Sequence, residues 1–198
     1  MRQTLRLLIA CTLLTLAASQ AQAQARWDSP FLVSPRPAPG LGLFLVDLHG
    51  AGVGVLVTWL PSPTSWGFRA GLAERSGPDE GIAVVAGADV SVALTRSTSD
   101  MPLDIDAVLG IGAGIGDDLI ISIPLGLSIG HTFAGQGATF TPYATPRVVV
   151  DARFGDGENM DLDFAVDLGL DLRIQPNWLI RFGGTIGDRE AIAIGIVF

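Results

Sequence analysis

The chain contains no lysine, one cysteine and one tyrosine, and beyond its first twenty residues it has no long hydrophobic run. Each absence excludes something. The lone Cys11 cannot make an intramolecular disulfide or a cysteine-based zinc site. All 12 basic residues are arginine, set against 20 acids, for a formal charge of −8. With a pI near 4.5, the chain lacks the basic footprint of a nucleic-acid binder. No stretch past the leader approaches the ~20 apolar residues of a membrane-spanning helix. Yet 48% of the residues are hydrophobic and only 16% charged, and the mean hydropathy is +0.46. Such a composition is too apolar for disorder. It leaves a very apolar soluble core or a membrane β-barrel, since only helices and closed barrels satisfy the backbone in lipid.

The first 25 residues read as a secretory signal. Arg2 and Arg6 form a charged start, residues 7–18 an apolar stretch, and Ala21-Gln22-Ala23 and Ala23-Gln24-Ala25 two small-residue cleavage sites. Cleavage is expected after Ala25 or Ala23. Lipidation of Cys11 is disfavoured, because only four residues separate it from Arg6 and the apolar run continues past it. Removal of the leader leaves ten arginines against the same 20 acids, and no cysteine.

Residues 26–40 carry Pro30, Pro35, Pro37 and Pro39. Proline fixes φ and removes a donor, so the segment cannot build a helix and reads as a linker or loose N-terminal tail. From residue 41 onward the pattern is that of strands. In residues 161–174, Leu162, Phe164, Val166, Leu168, Leu170, Leu172 and Ile174 alternate with Asp161, Asp163, Ala165, Asp167, Gly169, Asp171 and Arg173. Strict period two puts the two sets on opposite faces of one strand. At ~3.3 Å per residue that strand is about 45 Å long, well beyond the ordinary ~17–20 Å.

The same alternation recurs. Asp104 and Asp106 oppose Leu103 and Ile105; Asp89 and Ser91 oppose Val90 and Val92. Arg147, Asp151 and Arg153 oppose Val148, Val150 and Ala152. Arg69 opposes Phe68 and Ala70, Arg181 opposes Ile180 and Phe182, and Ile192, Ile194, Ile196 and Phe198 form one row at the end of the chain. Small or proline-containing connectors (61–65, 97–101, 134–137, 175–177) take turns with acidic ones (74–81, 116–118, 155–159, 187–190). That is the expectation for antiparallel hairpins in a sheet with two chemically different ends. No helical periodicity interrupts them, which excludes a βαβ fold.

A soluble barrel points its apolar rows inward. Here those rows are nearly pure Leu, Ile, Val and Phe, too bulky for a small interior, whereas the Gly-, Ser-, Asp- and Arg-bearing rows fit one. Apolar out and polar in is the rule of transmembrane barrels. Trp59, Trp66, Tyr143 and Trp178 near strand ends are read as an interfacial aromatic girdle. The expected fold is therefore an all-β, antiparallel up-and-down transmembrane β-barrel of 8–10 strands over residues 41–198. Ten is the preferred count, with residues 41–48 supplying the tenth strand; eight remains if the first segments form a plug or tail. The competing architecture is a soluble lipocalin-like or jelly-roll barrel in the periplasm.

The chain resembles small bacterial outer-membrane β-barrel proteins. The leader, the alternating strands and the terminal segment Glu190-Ala-Ile-Ala-Ile-Gly-Ile-Val-Phe198 carry the resemblance. It implies an outer-membrane location in a Gram-negative-type envelope. It also implies that the barrel-assembly machinery reads Ile194, Ile196 and Phe198. The expected partners are that machinery and outer-membrane lipid, with no cofactor and no nucleic acid; the oligomeric state stays open.

Three candidate sites follow. The inward rows carry Arg69, Asp89, Asp104, Asp106, Arg147, Asp151, Arg153, Asp163, Asp167, Asp171, Arg173 and Arg181, which form either a buried ionic network filling the lumen or a charged pore lining. Arginine suits such networks because its planar guanidinium donates in several directions. Asp47 with His49, or His131 alone, are candidates for a general base in a lipid-modifying enzyme, but no Ser-His-acid pattern accompanies them. The loop at 155–159 with Asp161 offers oxygens for Ca²⁺ without EF-hand spacing, and is read as a solvated acidic loop. The functional expectation is a non-enzymatic outer-membrane barrel with no catalytic residues and no metal, structural or weakly permeating.

Overall fold

The computed structural model describes residues 25–48, 51–64, 66–75, 81–155, 159–175 and 177–198. The expected leader up to residue 24, His49 and the tip of the 155–159 loop lie outside them. The strands are β1 (Gly40–Asp47), β2 (Val53–Leu60), β3 (Gly67–Arg75), β4 (Gly81–Thr95), β5 (Asp104–Ile115) and β6 (Leu119–Gly130). They continue as β7 (Phe133–Ala134), β8 (Thr139–Phe154), β9 (Asn159–Gln175), β10 (Trp178–Gly187) and β11 (Ala191–Val197). β7 is a two-residue piece that pairs only with β8. The other ten strands each pair with the next, β6 joins β8, and β1 joins β11, all antiparallel. The result is a closed ten-stranded up-and-down barrel, the fold class and strand count expected from the alternation and the even-number rule. Closure removes sheet edges. At the β1–β11 seam the Leu41 and Phe198 amides donate to each other's carbonyls at 2.8 and 2.9 Å.

The period-two pattern assigns the two faces. On β1, Leu41, Leu43 and Leu45 are exposed while Gly42, Phe44 and Val46 are buried. On β9, Leu162, Phe164, Leu168 and Leu170 are exposed, whereas Asp167 and Asp171 are buried. The arrangement repeats around the ring. Among the described residues, 37 large hydrophobic side chains are exposed, and Arg69, Asp104, Asp106, Arg147, Asp151, Asp167, Asp171, Arg181 and Arg189 are buried.

The interior is divided. Phe44, Val46, Leu56, Ala83, Val85 and Val108, from β1, β2, β4 and β5, make an apolar side. β8, β9 and β10 supply most of the charge. Phe44 fits because Gly42 and Gly195 leave room for its ring; a Cβ on Gly42 would lie 2.6 Å from it.

The proline-rich segment does not hang loose as a linker or tail. Trp27, Asp28, Ser29, Phe31, Leu32, Val33 and Ser34 are all buried, and residues 25–39 run down the inside of the barrel. Ala25 lies against Gly114, beside the acidic 116–118 connector. Arg36 contacts Ser97 and Asp104, beside the 97–101 connector at the other end. The chain then leaves the lumen, turns at Gly40 (φ 138°) and enters β1. The prolines that forbid a helix suit an extended thread.

The girdle assignment needs one correction. Trp59 and Trp66 are exposed and Trp178 is half-buried, but Tyr143 is 5% exposed and points inward. It shares parity on β8 with Arg147 and Asp151, and Gly169 on β9 makes way for its ring. Most outward aromatics gather at the proline-turn end, where Trp59 stacks on Phe68 at 5.9 Å and Phe133 on Phe140 at 5.0 Å; Phe154 and Phe164 lie at the acidic-connector end.

Candidate functional site in the lumen

The lumen is organised by five arginines of the wall, each facing a wall carboxylate. Register sets the pairs. Arg181 lies directly across from Asp171 and donates from Nε and Nη2 at 2.6 and 2.7 Å, the two-pronged geometry that guanidinium and carboxylate share. Arg147 reaches Asp167 at 2.6 Å, and Thr185, opposite Asp167, adds a hydrogen bond at 2.6 Å. Arg69 meets Asp89 at 2.5 Å. Arg96 pairs with Asp106. Arg189, from the connector after β10, turns inward to Asp151 at 2.5 Å and Asp163 at 3.3 Å.

The threaded segment joins this network at every level. Arg26 pairs with Asp151, and with Asp163 at 2.5 Å. Asp28 is clasped by Arg147 at 2.5 Å and Arg189 at 2.6 Å, with all three side chains fully buried. The Phe31 amide donates to Asp167 at 3.1 Å. Arg69 and Arg181 donate to the Phe31 and Leu32 carbonyls at 2.9 and 2.8 Å. Arg36 donates to Asp104 from Nε at 2.7 Å, and that hydrogen bond raises the guanidinium above its ordinary pKa. Buried polar groups demand partners, and the extended segment has its backbone free to supply them.

The seam between β6 and β8 shows why this matters. Pro146 cannot donate, and the ladder skips from Gly126–Arg147 to Ile129–Ala144. Beside that gap the Ser128 and Thr145 hydroxyls donate to the Val33 carbonyl at 2.7 and 3.4 Å.

Apolar anchors hold the upper part of the thread. Trp27 lies on Gly87, Gly110 and Gly112; a Cβ on Gly112 would come within 2.5 Å of the indole, one on Gly110 within 2.8 Å. Its Nε1 donates to the Ser122 carbonyl at 3.1 Å. Phe31 meets Trp27 edge-on at 6.0 Å, and the Arg69 guanidinium stands over both rings at 5.3 and 5.0 Å, a favourable cation–π distance. Residual space remains beside the thread: about 50 Å³ bounded by Leu32, Thr58, Arg69 and Arg181, about 100 Å³ by Arg36, Thr141, Asp171 and Arg173, and about 260 Å³ at the proline-turn mouth by Pro39, Arg173 and Trp178, room for a few waters.

Of the twelve charged residues singled out from the sequence, Arg69 and Asp89, Arg147 and Asp167, and Arg181 and Asp171 are brought together as pairs. Asp104, Asp106, Asp151 and Asp163 instead meet Arg36, Arg96, Arg26 and Arg189, which sequence reasoning missed. Arg153 and Arg173 are half-buried nearer the two mouths. Asp28 was also missed, hidden in a segment judged by its prolines. The signal that could have found it was the neighbouring Trp-x-x-x-Phe-Leu-Val run, too apolar for a solvated tail.

Ile194, Ile196 and Phe198 form the exposed row of β11 and its end. His131 sits edge-on to Phe133 at 4.6 Å. Among the described residues no three His, Cys, Asp or Glu side chains gather as metal ligands. No protein-family model matches the chain, and no curated protein matches it.

Proposed function

We propose that the chain is a non-enzymatic integral outer-membrane β-barrel whose lumen is closed by its own residues 25–39. One observation carries this: the outward row of nearly every strand is Leu, Ile, Val or Phe, and the charged row faces inward. Leaving a large apolar side chain in water rather than burying it forfeits about 1.5–3 kcal/mol. Over 37 partly exposed residues the loss is tens of kcal/mol, against a net stability of about 5–15 kcal/mol for a typical domain. Lipid removes that penalty. A soluble barrel would keep it.

The filled lumen favours a structural role over an open pore. A ten-stranded wall is only slightly wider than one that side chains alone fill, and here a second chain segment occupies it. The leader and the terminal Ile194-Gly-Ile-Val-Phe198 row support export and delivery by the barrel-assembly machinery. The acidic connectors then face outward, and the proline turns with their aromatic belt face the periplasm.

Fractionation tests the reading. The protein is expected in outer membranes, released only by detergent, with a gel mobility that shifts on boiling. Recovery as a soluble monomer from a periplasmic extract would end it.

A further inference from the structure

We propose that the proline-turn mouth of the lumen is a binding site for a phosphate-bearing small molecule, its phosphate group held among Arg173, Arg36 and three threonines. The inference needs the barrel and its thread in place, and it does not depend on the membrane. The first support is the space. An inner chamber of about 100 Å³ is lined by Arg36, Thr132, Thr139, Thr141, Asp171 and Arg173. An outer chamber of about 260 Å³ is lined by Ala38, Pro39, Arg173, Asn177 and Trp178. Arg173 and Leu179 border both, so the two adjoin. Pro39 and Asn177 are exposed, which opens the outer chamber to solvent. The inner chamber has room for several waters or one phosphate group, and the outer for the group that carries the phosphate.

The second support is the register, which sets the donors at one level. Thr139 on β8 lies directly across from Arg173 on β9, and Thr141 across from Asp171. Leu179 on β10 flanks Arg173 from the other side. The Thr132 and Thr141 hydroxyls lie 2.9 Å apart; one proton makes that bond and the other is left for a ligand. Donors therefore come from the thread, the β6–β7 connector, β8 and β9. That arrangement suits a tetrahedral group with oxygens on every side, whereas a planar carboxylate is satisfied by one guanidinium edge.

The third is charge. Four aspartates face this half of the lumen, and each meets an arginine: Asp89 with Arg69, Asp104 with Arg36, Asp106 with Arg96 and Asp171 with Arg181. Arg173 makes five arginines to four aspartates. Two further acids at this end stand on the rim, Asp100 in the exposed 97–101 connector and the Phe198 carboxylate at the β1–β11 seam. Val197, next to that carboxylate, lines the outer chamber and not the inner one. The inner chamber is thus locally positive in a chain of formal charge −8, and an anion is drawn inward past the rim.

The test titrates the folded full chain in detergent with sodium phosphate at fixed ionic strength and reads the heat, with heat-modifiable mobility checked on every sample. One saturable site per chain is expected. Arg173→Gln should weaken it about tenfold or more, the scale of one charge-assisted contact. Thr139→Val should weaken it about threefold or more, the scale of one neutral hydrogen bond. Sodium acetate should bind less tightly than phosphate. A folded wild type with no saturable heat in the millimolar range overturns the proposal, as does wild-type affinity in folded Arg173→Gln or acetate binding as tight as phosphate. Where Arg173→Gln does not fold, Thr139→Val decides: the expected loss supports the site, and wild-type affinity overturns it.

Discussion

Arg147→Ala removes the hub of the lumen. The guanidinium is fully buried and makes four hydrogen bonds: to the Asp28 carboxylate at 2.5 Å, the Asp28 carbonyl at 3.0 Å, and the Asp167 oxygens at 2.6 and 3.3 Å. Its loss leaves Asp28 with Arg189 and Asp167 with Thr185 and the Phe31 amide. Breaking a buried ion pair by deleting one partner costs about 3–5 kcal/mol. The surviving donors place this case at the lower end, about 3 kcal/mol. Urea unfolding of the vesicle-folded barrel, followed by tryptophan emission, reads the loss, since Trp27 sits in the same lumen. Adding Asp28→Ala to Arg147→Ala should restore part of it by removing one unpaired carboxylate. A loss below ~1 kcal/mol, the scale of solvent-exposed pairs, would show that water reaches Arg147 and would refute the dry network.

Leu168 is exposed on the outer wall and Asp167 is buried beside it; in the leaderless chain Leu168→Cys should react with a membrane-soluble thiol reagent and resist a charged one, and Asp167→Cys should never show the lipid-side pattern. The reverse result would turn the barrel inside out. Deleting Phe198 should slow insertion, measured by the appearance of the heat-modifiable band, far more than it alters the inserted fold; insertion at the wild-type rate would sink the assembly-signal role. The Tyr143 hydroxyl is buried and makes no hydrogen bond, so Tyr143→Phe should hold or raise stability and not lower it. Gly169→Val drives a side chain into the same ring and should cost about 1–3 kcal/mol in the same urea titration.

The barrel was legible because a period of two is a local property. Any ten residues of β9 announce which side chains share a face, and the ten strands follow one after another. Tyr143 is legible by the same count, since it shares parity with Arg147, and parity rather than amphipathic character decides which way a strand residue points. The thread was not legible in this way. Residues 25–39 have no repeat, and their structure comes from partners far along the chain: Asp28 meets Arg147 at a separation of 119 residues, and Arg189 at 161. Period-two reading finds the rows of the wall. It does not say that the carboxylates on them wait for Arg26 and Arg36, because no regular spacing links a strand to a segment running along the barrel's bore.

The path of that thread fixes what each side of the barrel displays. Residue 25 lies at the acidic-connector mouth, by Gly114, while Phe198 closes on Leu41 at the opposite rim. In an ordinary up-and-down barrel with an even number of strands both termini emerge together. Here the passage through the bore carries residue 25 to the rim opposite Phe198, so the molecule works as a conduit for its own polypeptide.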